Sequence, residues 1–228
     1  MCETLDSFQV SGFKLFASDL DENLKLENLK LVFMNASIAK NGTLLEVALA
    51  PLDFVRQVGL VIGFSLLTAL SAQIVIPVGT VPYTAQTFAV LLTGALLGSR
   101  LGAITMIVYL IEGASGLPFF AGGAGGFWHL MGPTGGYLFA FPAAAFITGA
   151  FAEHEWDRRF LTAAAAMAIG ALVIMLAGWL WFSFVLHTSP LLTVFDKVLK
   201  FLPSEAIKIS LAAAVLPSGW KLLGKRTK

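Results

Sequence analysis

Lys208 lies in Leu-Pro-Ser-Glu-Ala-Ile-Lys-Ile-Ser-Leu-Ala-Ala-Ala, three residues after Glu205 and at the start of an apolar run. A positive side chain is costly inside a bilayer, and near a helix N-terminus it also opposes the partial positive charge of the helix dipole. Such a placement calls for an anion. Pro203 and Ser204 mark the helix start, so backbone N–H groups, the dipole and Lys208 together favour one small carboxylate or phosphate. Glu205 has two uses: it pairs with Lys208 one turn on, or it accepts hydrogen bonds from ligand N–H groups. Both require an ionised carboxylate.

Gln73, Thr84, Gln86, Thr87 and Tyr137 put further hydrogen-bonding groups at the mouths of apolar stretches. Each taken singly can satisfy loop backbone. Their convergence with Lys208 on one membrane side is what a small amphipathic ligand needs, an apolar pocket with a few directed polar groups. Tyr83, Phe119, Phe120, Phe127 and Trp128 are candidates for its wall, although interfacial belts use the same residue types for anchoring.

Other chemistries are excluded or weak. Cys2 is the only cysteine, and His129, His154 and His187 lack metal-ligand spacing, so neither redox chemistry nor a bound metal is expected. No Gly-x-x-x-x-Gly-Lys-Ser/Thr run exists, so the chain is not an ATPase by itself. Gly113-Ala114-Ser115-Gly116 is similar to the Gly-x-Ser-Gly of rhomboid proteases, but Leu117-Pro118 would stop the helix that should carry the nucleophile. No enzyme activity, cofactor or nucleic-acid partner is expected.

The elements that must position these residues are membrane helices. Of 228 residues 57% are hydrophobic and 13% charged, and the mean hydropathy is +0.81, which no soluble domain of this length matches. Uncharged runs near the ~20 residues needed to cross a bilayer give an all-α polytopic membrane protein with six transmembrane helices. The spans read Val58–Ile76, Thr84–Ser99, Leu101–Ile111, Gly136–Ala152, Phe160–Leu186 and Ser204–Trp220, with a tight turn at Ser99-Arg100 bringing the second and third back antiparallel. Arg56, Arg100, Arg158, Arg159, Lys221, Lys225, Arg226 and Lys228 then share one side, against Lys197 and Lys200 on the other. Both termini are therefore expected in the cytoplasm.

Gly and Pro concentrate in the opposite, extracytoplasmic loops, in 76–82 and 113–136. Non-helical backbone at membrane depth survives only where protein buries it or it lines a cavity, which makes these loops either a lid or plain connections. Small residues at four-residue spacing, Gly59 with Gly63 and Ser65 with Ala69, offer the first helix a smooth face for another membrane subunit. Residues 1–50 differ: seven acidic residues, four lysines and no spanning run. They read as an N-terminal extension of unassigned role, cytoplasmic by the same topology, with residues 51–228 as the membrane-embedded domain.

Four runs carry a resemblance: Ala-Gln-Ile-Val-Ile-Pro-Val-Gly-Thr-Val-Pro-Tyr-Thr-Ala-Gln-Thr (72–87), Gly-Ala-Ser-Gly-Leu-Pro-Phe-Phe-Ala-Gly-Gly (113–123), Gly-Pro-Thr-Gly-Gly-Tyr (132–137) and Leu-Pro-Ser-Glu-Ala-Ile-Lys (202–208). In order and spacing, over about residues 55–222, the chain resembles the BioY family, the biotin-binding S components of energy-coupling-factor (ECF) vitamin transporters. The resemblance implies high-affinity capture of biotin from outside by a plasma-membrane protein, with the ligand buried under the loops. It also implies the partners that supply energy: a transmembrane coupling subunit of the EcfT type and cytoplasmic ATPases of the EcfA type, in addition to membrane lipid. An acidic residue and a lysine three apart contact biotin in the family, which points to Glu205 and Lys208, where this chain has Pro-Ser-Glu in place of the usual Pro-Gly-Asp. Some members supply an asparagine after Gly-Leu-Pro, where Gly122 and Gly123 would have to offer backbone groups instead. On this reading the valerate carboxylate goes to Lys208, the chain and thioether to the aromatic wall, and the ureido ring to donors and acceptors among Thr84, Gln86 and Tyr137. The coupling subunit docks on Gly59, Gly63, Ser65 and Ala69.

Overall fold

The structure, a computed structural model, describes residues 42–49, 54–77, 81–189, 193 and 198–226. Most of the N-terminal extension, and Lys197 and Lys228, lie outside the described residues. Asn41–Lys228 forms one compact unit.

A short helix, α1 (Leu44–Leu49), precedes α2 (Phe54–Ala72), the first crossing. The apolar run continues to Ile76, but the helix does not. Ile74, Val75 and Ile76 are β-branched and Pro77 disfavours a helical residue before it, so β1 (Val75–Ile76) pairs antiparallel with β2 (Tyr83–Thr84), Val75 opposite Thr84.

Next comes α3 (Gln86–Ala114), which folds back on itself at Gly98, where φ is 83° and ψ 177°. Gln86 Nε2 donates to the Tyr109 hydroxyl at 2.6 Å, whereas a straight helix would hold residues that far along the chain about 35 Å apart. The turn expected at Ser99-Arg100 is thus present, one residue early, because only glycine takes this conformation without strain. Glu153 secures it, its Oε1 accepting from the Ser99 N–H and Oγ at 2.7 and 2.8 Å. A 3-10 turn at Ala121–Gly123 and two short helices, α4 (Phe127–Leu130) and α5 (Gly135–Phe139), lead into α6 (Phe141–Glu153). Pro142 sits in the first turn of α6, where its missing N–H costs nothing. After a 3-10 turn at Trp156–Arg158, α7 (Phe160–Val185) and α8 (Leu202–Arg226) complete the bundle.

Four segments are long and apolar enough to cross a membrane by themselves: Phe54–Ala72, Gln86–Ala114, Gly135–Glu153 and Phe160–Val185. The reversal in α3 makes two crossings of the second, and α8, which carries Glu205 and Lys208, makes the sixth. The protein is an all-α, multi-pass membrane protein.

Glycine sets how closely the helices meet. A Cβ on Gly94 would come within 2.3 Å of the Ala145 carbonyl oxygen, and one on Gly149 within 2.4 Å of the Gly98 and Ser99 backbone. The two arms of α3 therefore pack backbone to backbone on α6, around a core that includes Val90, Leu91, Met106, Tyr109, Ala144, Met167 and Ile174.

The small residues of α2 do not share one face. Gly59 and Gly63 have nothing within 4 Å of an added Cβ, whereas Ser65 and Ala69 are buried at 0% and 6% exposure. Ser65 is about 200° around the helix from Gly63, so it points inward. Its hydroxyl donates to Glu112, and Ala69 joins the core. The outward face of α2 is thus Gly59 and Gly63 with Val55, Ile62 and Leu66, and the partner role expected for Ser65 and Ala69 gives way to internal packing.

One end of the bundle gathers the residues expected to share a membrane side. Leu44 abuts Gly219, Thr43 covers Gly98, and the Trp220 indole donates to Asp157 Oδ2 at 2.6 Å beneath the Arg158 guanidinium. Asp157 is buried, its Oδ1 is without a hydrogen-bond partner, and burial raises its pKa despite the Trp220 bond. An aspartate held above its ordinary value binds more protons folded than unfolded, so stability falls as pH rises from near 4 through the folded pKa. Asp157→Asn keeps an acceptor for Trp220 and removes the buried charge. It is expected to raise Tm by roughly 3 °C at pH 7.5 and to flatten the pH dependence, measured by thermal unfolding in detergent from pH 4 to 8.

Candidate functional site

At the opposite end, the first turns of α3 and α8 face each other. Ser204 Oγ donates to the Phe201 carbonyl at 2.9 Å, tying the start of α8 to the preceding 3-10 turn. One turn further, Lys208 Nζ donates to Glu205 Oε1 at 2.7 Å and to Thr87 Oγ1 at 3.0 Å, and Thr87 donates to the same Glu205 oxygen at 3.0 Å. Lys208 is thus paired without any ligand. Glu205 is 4% exposed, and its Oε2 is buried without a hydrogen-bond partner. A buried acceptor left unmet is expensive, so this oxygen is set to receive a donor.

Thr87 is the link between the ion pair and a cavity of about 300 Å³, at the small end of ligand sites. Thr84, Gln86, Thr134 and His129 give it polar groups, and Val81, Tyr137, Phe141 and Ile174 are among its apolar walls. Burial lowers the pKa of His129, whose ring stacks on Phe120 at 5.4 Å. Burial thus disfavours a charged ring at the wall.

Of the expected site residues, Thr84, Gln86 and Tyr137 line the cavity directly, and Glu205 and Lys208 stand one side chain behind it. Gly122 and Gly123 are outside the lining, which Ala121 reaches instead. The expected aromatic wall is elsewhere too. Phe120 is core, and Phe127 and Trp128 are 56% and 83% exposed at the rim. Tyr83 stacks edge-on with Phe201 at 4.4 Å and donates to the Lys200 carbonyl, knitting β2 to the α8 entry. Among the residues not foreseen, Pro133 and Thr134 belong to the Gly-Pro-Thr-Gly-Gly-Tyr run and carried a signal. Ile174 lies mid-helix in a uniformly apolar stretch and carried none.

The loop that reaches the cavity at Ala121 is fastened at three successive carbonyls. Gln73 Nε2 donates to those of Pro118 and Phe120 at 3.2 and 3.4 Å, and the Tyr109 hydroxyl to that of Phe119 at 2.8 Å.

Residues 36–225 match the model of the BioY family. The chain belongs to the BioY family. It is 46% identical over 126 residues to the probable biotin transporter BioY of Pyrococcus horikoshii, a match covering 55% of this chain and 74% of that one. The biotin transporter BioY of Thermotoga maritima is 39% identical over 124 residues, 54% of this chain and 72% of the relative. Among solved structures, the S-component for biotin from an ECF-type ABC transporter superposes with a TM-score of 0.69 at 25% identity, covering 73% of this chain and 92% of the other. For this BioY-family chain the relatives agree with a transporter and offer nothing for the hydrolase reading of Ser115. That hydroxyl donates locally to the Glu112 carbonyl at 2.7 Å.

Proposed function

We propose that this chain captures biotin at the outer face of the plasma membrane as the substrate-binding S component of an ECF-type vitamin transporter. An EcfT-type membrane subunit and EcfA-type ATPases supply the energy. Both termini lie in the cytoplasm on this reading, because the bundle end that holds Arg100, Arg158 and the end of α8 is the basic one. The coupling subunit meets α2 on its Gly59 and Gly63 face, where small residues allow close approach.

The observation that carries the reading is the Thr87–Glu205–Lys208 cluster behind the cavity wall. Because Lys208 is neutralised by Glu205, the pair is a donor beside an acceptor with no net charge. The ureido ring of biotin has the matching pattern, N–H beside C=O, whereas a carboxylate would bring a second anion next to Glu205 at a wall with no Lys or Arg among its described lining residues. The ring therefore goes to the wall that Glu205 and Lys208 back, against Thr87, Gln86 and Thr84, its thioether side lies against Tyr137 and Phe141, and the valerate carboxylate points to the mouth. This reverses the orientation that the isolated Lys208 had implied.

Competition against labelled biotin tests both identity and orientation. Amides of the valerate carboxyl are expected to compete nearly as well as biotin, while 2-iminobiotin, which lacks the ureido carbonyl oxygen, competes poorly. The opposite order would place the carboxylate on Lys208. Saturable binding of lipoate or thiamine by a folded protein that shows none for labelled biotin would overturn the assignment.

A further inference from the structure

We infer that Tyr109 is a positioning residue that sets the donor and acceptor pattern of the cavity wall according to whether the loop is fastened to it at the Phe119 carbonyl. The inference rests on the biotin reading. It follows from a hydrogen-bond chain with only one direction. The Phe119 carbonyl can only accept, so the Tyr109 hydroxyl donates to it, at 2.8 Å. That proton being committed, Tyr109 must accept from Gln86, and the group facing it at 2.6 Å is therefore the Gln86 amide nitrogen, not its oxygen. Gln86 Oε1 is left turned toward Thr84, whose hydroxyl donates to it at 3.1 Å. Tyr109 is fully buried, which removes bulk water as an alternative partner along the chain.

Tyr109 is not part of the cavity lining, whereas Gln86 and Thr84 are. The fastened loop thus fixes, through Tyr109, which atom of the Gln86 amide is offered to a ligand. When the Phe119 carbonyl lifts away, the Tyr109 proton is released to serve Gln86 Oε1, the amide turns over, and donor and acceptor exchange places. A ureido ring, with N–H groups flanking a carbonyl, is sensitive to that exchange. An apolar ligand would not be.

Tyr109→Phe deletes one hydroxyl and keeps the ring that packs on Phe120 and Phe141. Affinities of the purified protein for biotin and for 2-iminobiotin are to be measured in wild type and variant. Biotin is expected to weaken about tenfold while 2-iminobiotin changes little, so that the preference between them shrinks about tenfold. A purely structural role would weaken both ligands alike, and an unchanged ratio overturns the inference. If Tyr109→Phe fails to fold, Gln73→Met loosens the same loop at Pro118 and Phe120 without touching the cavity lining and is expected to shrink the same ratio, with an unchanged ratio again overturning it. Wild-type protein that binds no biotin overturns the functional reading and this inference with it, whereas biotin binding with an unchanged ratio removes the inference alone.

Discussion

Lys208→Ala is expected to weaken biotin binding by roughly 30- to 5,000-fold, the range that follows from ~2–5 kcal/mol for truncating one member of a buried, hydrogen-bonded charge pair. The mutation removes the donor to Thr87 and leaves Glu205, only 4% exposed, as a lone buried carboxylate. Part of the loss would be instability rather than lost contact. The double variant Glu205→Gln/Lys208→Met separates the two, since it buries no charge and is expected to recover the wild-type Tm without recovering binding. Recovery of both would mean that the pair acts on the fold alone. Binding isotherms paired with melting curves in the same detergent decide it.

Gly149→Ala is expected to be strongly destabilising. Its Cβ would lie within 2.4 Å of Gly98 and Ser99 backbone atoms, and backbone cannot rotate aside as a side chain can. The α3 turn would have to leave α6, taking the Glu153 bonds to Ser99 with it. Overpacking of this kind costs about 1–3 kcal/mol or more, and at roughly 2–4 °C per kcal/mol the melting temperature should drop by about 5–10 °C. Gly59→Ala is the control on α2, because nothing lies within 4 Å of its added Cβ, and its Tm in detergent should be unchanged. Helix propensity favours Ala over Gly at both positions, so equal losses in the two variants would show that the close contact at Gly149 is not what governs its stability.

The sequence allowed the number of crossings to be read because each is a run of apolar residues of bilayer length, and the hairpin because Ser99-Arg100 leaves no room for a longer connection. It allowed Thr84, Gln86, Tyr137, Glu205 and Lys208 to be singled out because polar groups at membrane depth are costly and stand out. What it could not show was direction. Helix periodicity sets Ser65 apart from Gly63, but in a largely apolar helix it does not say which face turns inward, so the inward place of Ser65 and Ala69 is decided only by packing. For the same reason Ile174 passed as one more apolar residue. The position of Lys208 behind Thr87 depends on a contact between residues 121 positions apart, and nothing local encodes that. The aromatic wall was misplaced because Phe and Trp serve core, rim and pocket alike. Only tertiary packing assigns Phe120 to the core and Phe141 to the cavity.

The central claim is that the cavity beside Glu205 and Lys208 holds biotin. Equilibrium titration of labelled biotin into the detergent-purified full chain tests it most directly. Saturable binding of one biotin per chain is expected, lost in the Glu205→Gln/Lys208→Met variant at an unchanged Tm. A folded wild-type protein that shows no saturable binding, or a variant that binds as tightly as wild type, would contradict it.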